Sequence, residues 1–156
     1  MIFIECNRDE LLITSLGFDR DIYEHAGGKG NVITKLKKTS VKSIGIIDED
    51  PTAAIPPYLK QLTKQKIPEY FFTVYFDDNS KNNSKKMIIE FEEKLENWII
   101  KCAGNTLLNK YQIPTDPDTY HHYAINKNEQ DFMKEFIDTD AAKKLKNQMH
   151  SFLSKA

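Results

Sequence analysis

The sequence has almost no net charge, only two cysteines and no long apolar run. Its 22 lysines and arginines balance 23 aspartates and glutamates, so no overall charge points to nucleic acid or an acidic membrane surface. Cys6 and Cys102 have no motif spacing, and no secretory signal opens the chain, which predicts a cytoplasmic protein with reduced thiols. No apolar segment approaches the roughly 18 residues that cross a bilayer, so no membrane partner is expected.

The order of apolar segments predicts an α/β protein. A chain of 156 residues is long enough for one domain with a substantial core, and we expect a single domain over residues 1–156. Strands are predicted at residues 2–5, 21–25 and 43–47, with helical patterns between them. Because this alternation is typical of parallel crossover units, it predicts a mostly parallel central sheet flanked by helices.

The rest of the chain is predicted to complete the sheet and then become helical. The pattern predicts a helix at residues 53–62, strands at 70–76 and 87–91, an exposed polar loop at 77–86 and a helix at 91–101. Residues 104–156 are predicted to form a helical carboxyl-terminal extension, with a loop at 115–128 before two further helices.

Acidic residues follow two of the predicted strands. Glu5 ends the first strand, and the segment SIGIIDED at residues 43–50 carries Asp48 and Asp50 at the end of the third. Alternation along a strand places Asp48 and Asp50 on one face, about 7 Å apart, where each raises the pKa of the other unless a cation lies near. A divalent cation would remove that repulsion, whereas a solvated strand end with an Asp-Pro turn explains the same residues without a ligand.

The segment AGGKGN at residues 26–31 precedes the second predicted helix. Backbone N–H groups at such a turn can cradle a phosphate with help from a lysine, although a plain tight turn has the same composition. The residues concerned are Gly27, Gly28, Lys29, Gly30 and Asn31. The lysines that follow are predicted to form a solvated helix face, and they are also the patch that a bound nucleic acid would touch: Lys35, Lys37, Lys38 and Lys42.

The ordered set IFIE, AGGKGN and IGIIDED resembles the TOPRIM domain, the catalytic domain of topoisomerases, bacterial primases and overcoming-lysogenization-defect (OLD) nucleases. OLD-type domains and small standalone bacterial TOPRIM-like proteins have the most similar pattern. The resemblance covers residues 1–55, where the strand-end glutamate is Glu5 and the Asp-x-Asp pair is Asp48 and Asp50. Asp9 stands at the place of a further family aspartate, and Cys6 stands where the family has a glycine.

The resemblance implies a TOPRIM-like, Rossmann-like three-layer fold and a nuclease or related phosphoryl-transfer activity that depends on Mg²⁺ or Mn²⁺. It implies that Glu5, Asp48 and Asp50 are catalytic, that they hold the metal together with Asp9, and that the glycine turn approaches a phosphate. Carboxylates suit this chemistry because phosphoryl transfer depends mainly on positioning and charge neutralisation. Two acids that follow a late strand, Glu93 and Glu96, are candidates for the additional acids that OLD-type nucleases carry in their second half.

Two other functions remain open at this stage. A TOPRIM-like chain can keep the fold without the chemistry and serve as a binding module that self-associates or acts as a subunit for an ATPase or another partner. The segments DEDPT and YFDD also resemble the opening and closing motifs of haloacid-dehalogenase-type phosphatases. The short stretch between Asp50 and Asp77 has no room for the other motifs of that family.

Overall fold

A sheet of six strands and eight flanking helices make up the part of the chain that the computed structural model describes, residues 1–78 and 85–154. The strands are β1 (Ile2–Ile4), β2 (Tyr23–His25), β3 (Ser43–Asp48), β4 (Thr63–Ile67), β5 (Phe72–Phe76) and β6 (Lys86–Phe91). The helices are α1 (Asn7–Ser15), α2 (Lys29–Lys38), α3 (Pro57–Lys60), α4 (Leu95–Ala103), α5 (Asn105–Lys110), α6 (Pro117–His121), α7 (Lys127–Phe136) and α8 (Asp140–Ser154).

The sheet is mixed but mostly parallel, with the strand order β2-β1-β3-β6-β5-β4. Strands β2, β1, β3 and β6 run parallel to one another, and β5 runs antiparallel to both of its neighbours. The prediction of an α/β protein with a mostly parallel sheet is therefore confirmed. The carboxyl ends of β2, β1, β3 and β6 lie along one edge of the sheet, which we call the carboxyl edge.

Both faces of the sheet are covered. On one face, Ile44 and Ile46 pack into a large apolar core with residues of α1, α4, α5, α7 and α8. On the other face, Ile47 packs with Val32 and Leu36 of α2. Strands that are buried on both faces are apolar at successive positions rather than at alternate ones, which explains the continuous run of residues 44–47.

Gly45 marks the closest approach of α2 to the sheet. A Cβ atom at this position would lie 3.0 Å from Val32 Cγ1 and 3.4 Å from Leu36 Cδ2. We expect Gly45→Ala to lower the free energy of unfolding by about 1–2 kcal/mol, because overpacking a well-filled core forces neighbouring groups to shift. Urea unfolding at equilibrium measures the change.

Gly30 provides the matched control for that substitution. It is exposed in the first turn of α2, and a Cβ atom there would meet nothing within 4 Å. Gly30→Ala should therefore raise stability by roughly 0.5–1 kcal/mol through the lower backbone entropy of the unfolded chain. Equal effects of the two substitutions would show that the contact at Gly45 is not tight.

The structure corrects several predicted boundaries. The helix predicted at residues 53–62 is reduced to α3, because Pro56 and Pro57 restrict the backbone before it. The helix predicted at 91–101 begins only at Leu95, since Phe91 completes β6 and Glu93 has a left-handed backbone with φ of 63°. The predicted loop at 115–128 contains α6. Most of the predicted loop at 77–86 lies outside the described residues.

Strand β4 was not predicted at all. Its sequence, TKQKI, has four exposed residues and one buried residue, so it carries no hydrophobic alternation. The strand is defined by its antiparallel pairing with β5, in which Thr63 lies opposite Phe76 and Ile67 opposite Phe72. Backbone pairing at the outer strand of a sheet does not depend on apolar side chains, so this element left no pattern in the sequence.

Candidate functional site at the carboxyl edge of the sheet

Two of the predicted acids lie on adjacent strand ends. Glu5 is the first residue after β1, Asp48 is the last residue of β3, and these two strands pair in parallel. Glu5 Oε2 accepts a hydrogen bond from the backbone N–H of Asp48 at 2.8 Å. The structure therefore brings Glu5 and Asp48 together at the carboxyl edge, which is where ligands bind in open α/β sheets.

Asp48 also caps the beginning of α4. Its Oδ1 atom accepts a hydrogen bond at 2.9 Å from the backbone N–H of Leu95, the first residue of that helix. The first N–H groups of a helix have no partner within the helix, and its positive dipole end stabilises a nearby carboxylate. A carboxylate has about four acceptor sites, so this hydrogen bond uses only part of what Asp48 offers.

Asp9 lies behind these two acids, in the first turn of α1. Its side chain is buried, and its Oδ2 atom accepts hydrogen bonds from the backbone N–H groups of Glu5 at 2.9 Å and Cys6 at 3.0 Å. The N-cap residue of α1 is Cys6, and the side chain that accepts its backbone N–H comes from Asp9. Asn7, although asparagine is a common N-cap residue, is the first residue of the helix. Asp9 thus fixes the backbone that presents Glu5.

The carboxyl groups at this edge have raised pKa values. Burial, followed by the charges of Asp9, Glu5 and Glu96, raises the pKa of Asp48 to about 8. Burial, with the charge of Glu5 as a further contribution, raises the pKa of Asp9 to about 7. Burial also raises the pKa of Glu5, partly offset by the hydrogen bond from Asp48 and by the charge of Lys29. Burial, together with the repulsion between these acids, therefore disfavours their full ionisation at neutral pH.

The glycine turn lies at the same edge. The Ala26 N–H donates to the Ile4 carbonyl at 2.8 Å, Gly27 and Gly28 both have positive φ angles, and α2 begins at Lys29. The Lys29 backbone N–H and its ammonium both act on the Glu5 carboxylate and lower its pKa. The first N–H of α2 thus faces a carboxylate of the chain itself, and the predicted contact with a phosphate stays a prediction.

Asp50 lies apart from the other acids, on the turn after β3. Its Oδ1 atom accepts hydrogen bonds from Thr52 N at 3.0 Å and from Thr52 Oγ1 at 2.7 Å. Those bonds lower the pKa of Asp50, and its charge is not among the main contributions to the raised pKa of Asp48. Asp50 is exposed at the rim of the site, whereas Glu5 and Asp48 are partly buried within it.

A cleft of about 600 Å³ opens over this edge. Its floor is formed by the ends of β1 and β3, and its far wall by the first turns of α4 and α6. Six acidic side chains and two lysines line it: Glu5, Asp48, Glu49, Asp50, Glu93, Asp118, Lys29 and Lys94. The excess of negative charge favours a cationic ligand over an anionic one.

The side chains at this edge offer as many ligands as a magnesium ion needs, but too few to enclose a metal ion completely. Within residues 1–78 and 85–154, no three His, Cys, Asp or Glu side chains are arranged so that they could hold a metal ion together. Mg²⁺ is usually held by one or two carboxylates and keeps several waters. Glu5 and Asp48 fit this role, whereas Asp9 is committed to the backbone and Asp50 to Thr52.

Two further acids lie at this edge: Glu90, which was not predicted, and Glu96, which was a predicted candidate. Glu90 of β6 is buried, accepts a hydrogen bond from Tyr75 Oη at 3.2 Å, and has its Oε2 atom 3.8 Å from Lys29 Nζ. Its signal is an acid inside the apolar run MIIEF. Glu96 of α4, a candidate from the resemblance, is buried against Arg8 at 3.2 Å and contributes to the raised pKa of Asp48.

The lysines that follow the glycine turn do not share this edge. Helix α2 starts at Lys29 and leads away from the carboxyl edge, so Lys38 lies about 13 Å further along the helix axis. Lys86 at the amino end of β6 donates to the Lys37 carbonyl at 3.1 Å, which places this end of α2 at the opposite edge of the sheet. Of the group predicted to touch nucleic acid, none lines the cleft.

The geometry also argues against the phosphatase arrangement. Asp77 directly follows β5, which runs antiparallel to β6, and its N–H donates to the Lys86 carbonyl at 3.0 Å. Asp77 therefore lies at the amino end of β6, while Asp48 lies opposite Phe91 at the carboxyl end. The two acidic motifs of a haloacid-dehalogenase-type site would have to meet at one edge of the sheet. Here they lie at opposite edges, separated by the length of β6.

Fold and site together define an α/β protein with a carboxylate pair at the carboxyl edge of its parallel strands. A scan against protein-family models found no match. Searches of curated proteins and of solved structures also found no significant match. Across the described ranges, no helix has the length and apolar character that crossing a membrane requires.

Proposed function

We propose that this protein is a TOPRIM-like, magnesium-dependent nuclease or related phosphoryl-transfer enzyme acting on nucleic acid, with Glu5 and Asp48 as the residues that hold the metal. The observation that carries the proposal is the hydrogen bond between Glu5 and the Asp48 backbone N–H, which ties together two strand-end carboxylates beside the cleft. Burial, the largest cause, raises the pKa of both carboxyl groups, and a bound cation would favour their ionised forms.

The metal would supply charge neutralisation and Lewis-acid polarisation of a phosphoryl oxygen. The chain's own residues position the components. Asp9 fixes the backbone of Glu5, the first N–H of α4 orients Asp48, and Lys29 brings a positive charge to the same side of the cleft. Gly27, Gly28 and Gly30 add no side chains at the start of α2. The Glu5 carboxylate already faces the Lys29 N–H there, so a phosphate would have to approach the remaining N–H groups.

Thermal unfolding with EDTA or with millimolar Mg²⁺ or Mn²⁺ tests this proposal. A ligand that binds only the folded state stabilises it by about 1.4 kcal/mol at a tenfold excess over its Kd, which for a chain of this size raises the Tm by roughly 3–6 °C. The wild type should show this shift, and Asp48→Asn and Glu5→Gln should lose it.

Asp138→Asn is the matched control, because it removes the same charge from an exposed residue between α7 and α8. It should keep the full metal response. Glu5 and Asp48 would be ruled out as the metal ligands if metal does not raise the Tm of the wild type, or if it still raises the Tm of Asp48→Asn. Labelled DNA and RNA then report the activity, with metal-dependent cleavage by the wild type and none by Asp48→Asn.

A catalytically inactive binding module is the second candidate, and one observation favours it. Glu5, Asp9 and Asp48 each make a hydrogen bond to the backbone, so all three have a structural role without any metal. Such a module, acting as a subunit for an ATPase or another partner, predicts no metal response. It also predicts that Asp48→Asn, which keeps an acceptor for the Leu95 N–H, stabilises the protein.

A further inference from the structure

Two lysines on the outer strand β4 lie beside the acidic cleft. Lys64 and Lys66 are exposed and, being two residues apart, project from the same face of the strand about 6.8 Å from each other. We propose that Lys64 and Lys66 bind successive phosphates of a nucleic acid strand that crosses the carboxyl edge of the sheet. The inference rests on the proposed function, for which it names the surface that holds the substrate.

The strand register places these lysines in line with the site. Lys66 lies opposite Thr73 of β5, and Thr73 lies opposite Glu90 of β6, so the three residues form one row across the sheet. The row continues to Ile47 of β3, the residue before Asp48. Three strand spacings, about 14 Å, therefore separate the backbone of Lys66 from the strand that carries the predicted metal ligand.

Two recesses connect the lysines with the main cleft. One, of about 260 Å³, is lined by Lys64 and Tyr75 together with Lys29 and Asp50 of the main cleft. The other, of about 320 Å³, is lined by Lys66 and Thr73. Glu49 borders both recesses as well as the main cleft. A nucleic acid strand that leaves the cleft over Glu49 thus passes directly to Lys64 and Lys66.

Charge pairing distinguishes Lys64 and Lys66 from the other cations near this edge. Lys29 lies 3.8 Å from Glu90, Lys94 lies 3.5 Å from Asp118, and Lys101 lies 2.9 Å from Glu92. In the described ranges, Lys64 and Lys66 form no ion pair. The ammonium of Lys64 lies 5.8 Å from the centroid of the Tyr75 ring, and its charge acts on the Glu90 carboxylate from beyond ion-pair distance. An ammonium without a carboxylate partner is the better phosphate ligand, because no existing contact has to be broken.

The charge of the main cleft requires such a flanking surface. With six acids against two lysines, the cleft by itself repels a polyanion. The lysines of the α2 carboxyl end cannot compensate, because they lie at the opposite edge of the sheet. Lys64 and Lys66 are thus the unpaired cations, within the described residues, that border the recesses next to the site.

Fluorescence anisotropy with a short labelled single-stranded DNA, in Ca²⁺ to slow hydrolysis, tests the inference over a range of salt concentrations. Each phosphate contact on a single strand contributes about 0.7 to the slope of log K against log salt. Lys64→Gln/Lys66→Gln should therefore lower the slope by about 1.4, which corresponds to roughly 25-fold weaker binding at about 0.1 M salt. The matched control, Lys37→Gln/Lys38→Gln, removes two exposed charges from the opposite edge and should leave binding unchanged.

The results separate this inference from the proposed function. Both double variants should keep the wild-type Tm and its metal response, since the substituted side chains are exposed and outside the predicted metal site. An equal or larger loss of binding in the α2 variant, an unchanged slope in the β4 variant, or no binding by the wild type would each overturn the role of Lys64 and Lys66. If Mg²⁺ or Mn²⁺ does not raise the Tm of the wild type, the proposed function is overturned instead.

Discussion

Arg8→Met is expected to lower the free energy of unfolding by about 3–5 kcal/mol, because it removes the guanidinium from two buried glutamates and leaves Glu96 with only His121, at 3.1 Å, as a basic partner among the described residues. The Arg8 side chain is 6% exposed. Its Nε atom lies 2.8 Å from Glu129 Oε2, its Nη1 atom lies 3.2 Å from Glu96 Oε1, and its Nη2 atom donates to the Tyr123 carbonyl at 2.7 Å. The guanidinium also stacks over the ring of Tyr120, 4.5 Å from its centroid.

This network joins three parts of the chain. Arg8 is in α1, Glu96 is in α4 and Glu129 is in α7, so one side chain links the first helix to the helices that follow the sheet. Tyr120 Oη of α6 donates to Glu129 Oε2 at 2.6 Å and adds a fourth helix. Loss of Arg8 should therefore also loosen α6, which carries Asp118 at the wall of the cleft.

Urea unfolding at equilibrium measures this effect, with Arg20→Met as the control. Arg20 pairs with Glu10 at 2.8 Å, but its side chain is 78% exposed, so we expect a far smaller loss than for Arg8→Met. In the double variant Arg8→Met/Glu129→Gln, the second substitution should restore part of the stability, since it removes one unpaired charge. Equal losses in Arg8→Met and Arg20→Met would contradict the account.

The stability of the metal-free protein should fall as the pH rises from about 5 to about 8. The pKa of Asp48 is about 8 and that of Asp9 is about 7 in the folded state, against about 3.9 for an aspartate in an unfolded chain. Between these values the folded state binds more protons than the unfolded state, so the free energy of unfolding decreases with increasing pH. Because the two acids are coupled and Asp48 is partly exposed, we expect a total decrease on the order of 2 kcal/mol.

Urea unfolding in EDTA at several pH values checks this decrease. Asp48→Asn should make the pH profile shallower and should be more stable than the wild type at pH 8, since an asparagine Oδ1 still accepts the Leu95 N–H without a charge. Asp138→Asn should keep the wild-type profile. Magnesium should weaken the decrease, because a bound cation favours the ionised carboxylates. A wild-type stability that rises over this pH range would show that the acids are well compensated by other groups.

Features that depend on a local pattern of residues could be predicted from the sequence. The strands β1, β3 and β6 are short apolar runs, α2 has its apolar side chains at helical spacing, and the acids Glu5 and Asp48 follow strands directly. Parallel strands end at one edge, so the strand-end positions of Glu5 and Asp48 also predict that both lie at that edge. The TOPRIM resemblance, the metal and the phosphate contact of the glycine turn remain predictions.

Other features depended on contacts between distant parts of the chain. Arg8 is separated by 88 positions in sequence from Glu96 and by 121 positions from Glu129. No spacing in the sequence indicates that either glutamate pairs with Arg8. Strand β4 exists through backbone pairing, and the antiparallel direction of β5 is defined only by its pairing with β4 and β6. The same pairing places Lys64 and Lys66, the proposed phosphate ligands, next to the acidic edge, whereas helix α2 leads Lys37 and Lys38 away from it.

The sequence by itself thus determined the α/β class and placed Glu5, Asp48 and Asp50 at the carboxyl ends of their strands, because hydrophobic periodicity and strand-end position are local properties. Only the tertiary structure decided which of the predicted acids share a site. The Asp48 backbone N–H donates to the Glu5 carboxylate, the Asp9 carboxylate accepts from the turn behind them, and Asp50 accepts from Thr52 at the exposed rim. Burial and like charge then set the protonation of the site, and both arise only when distant segments come together.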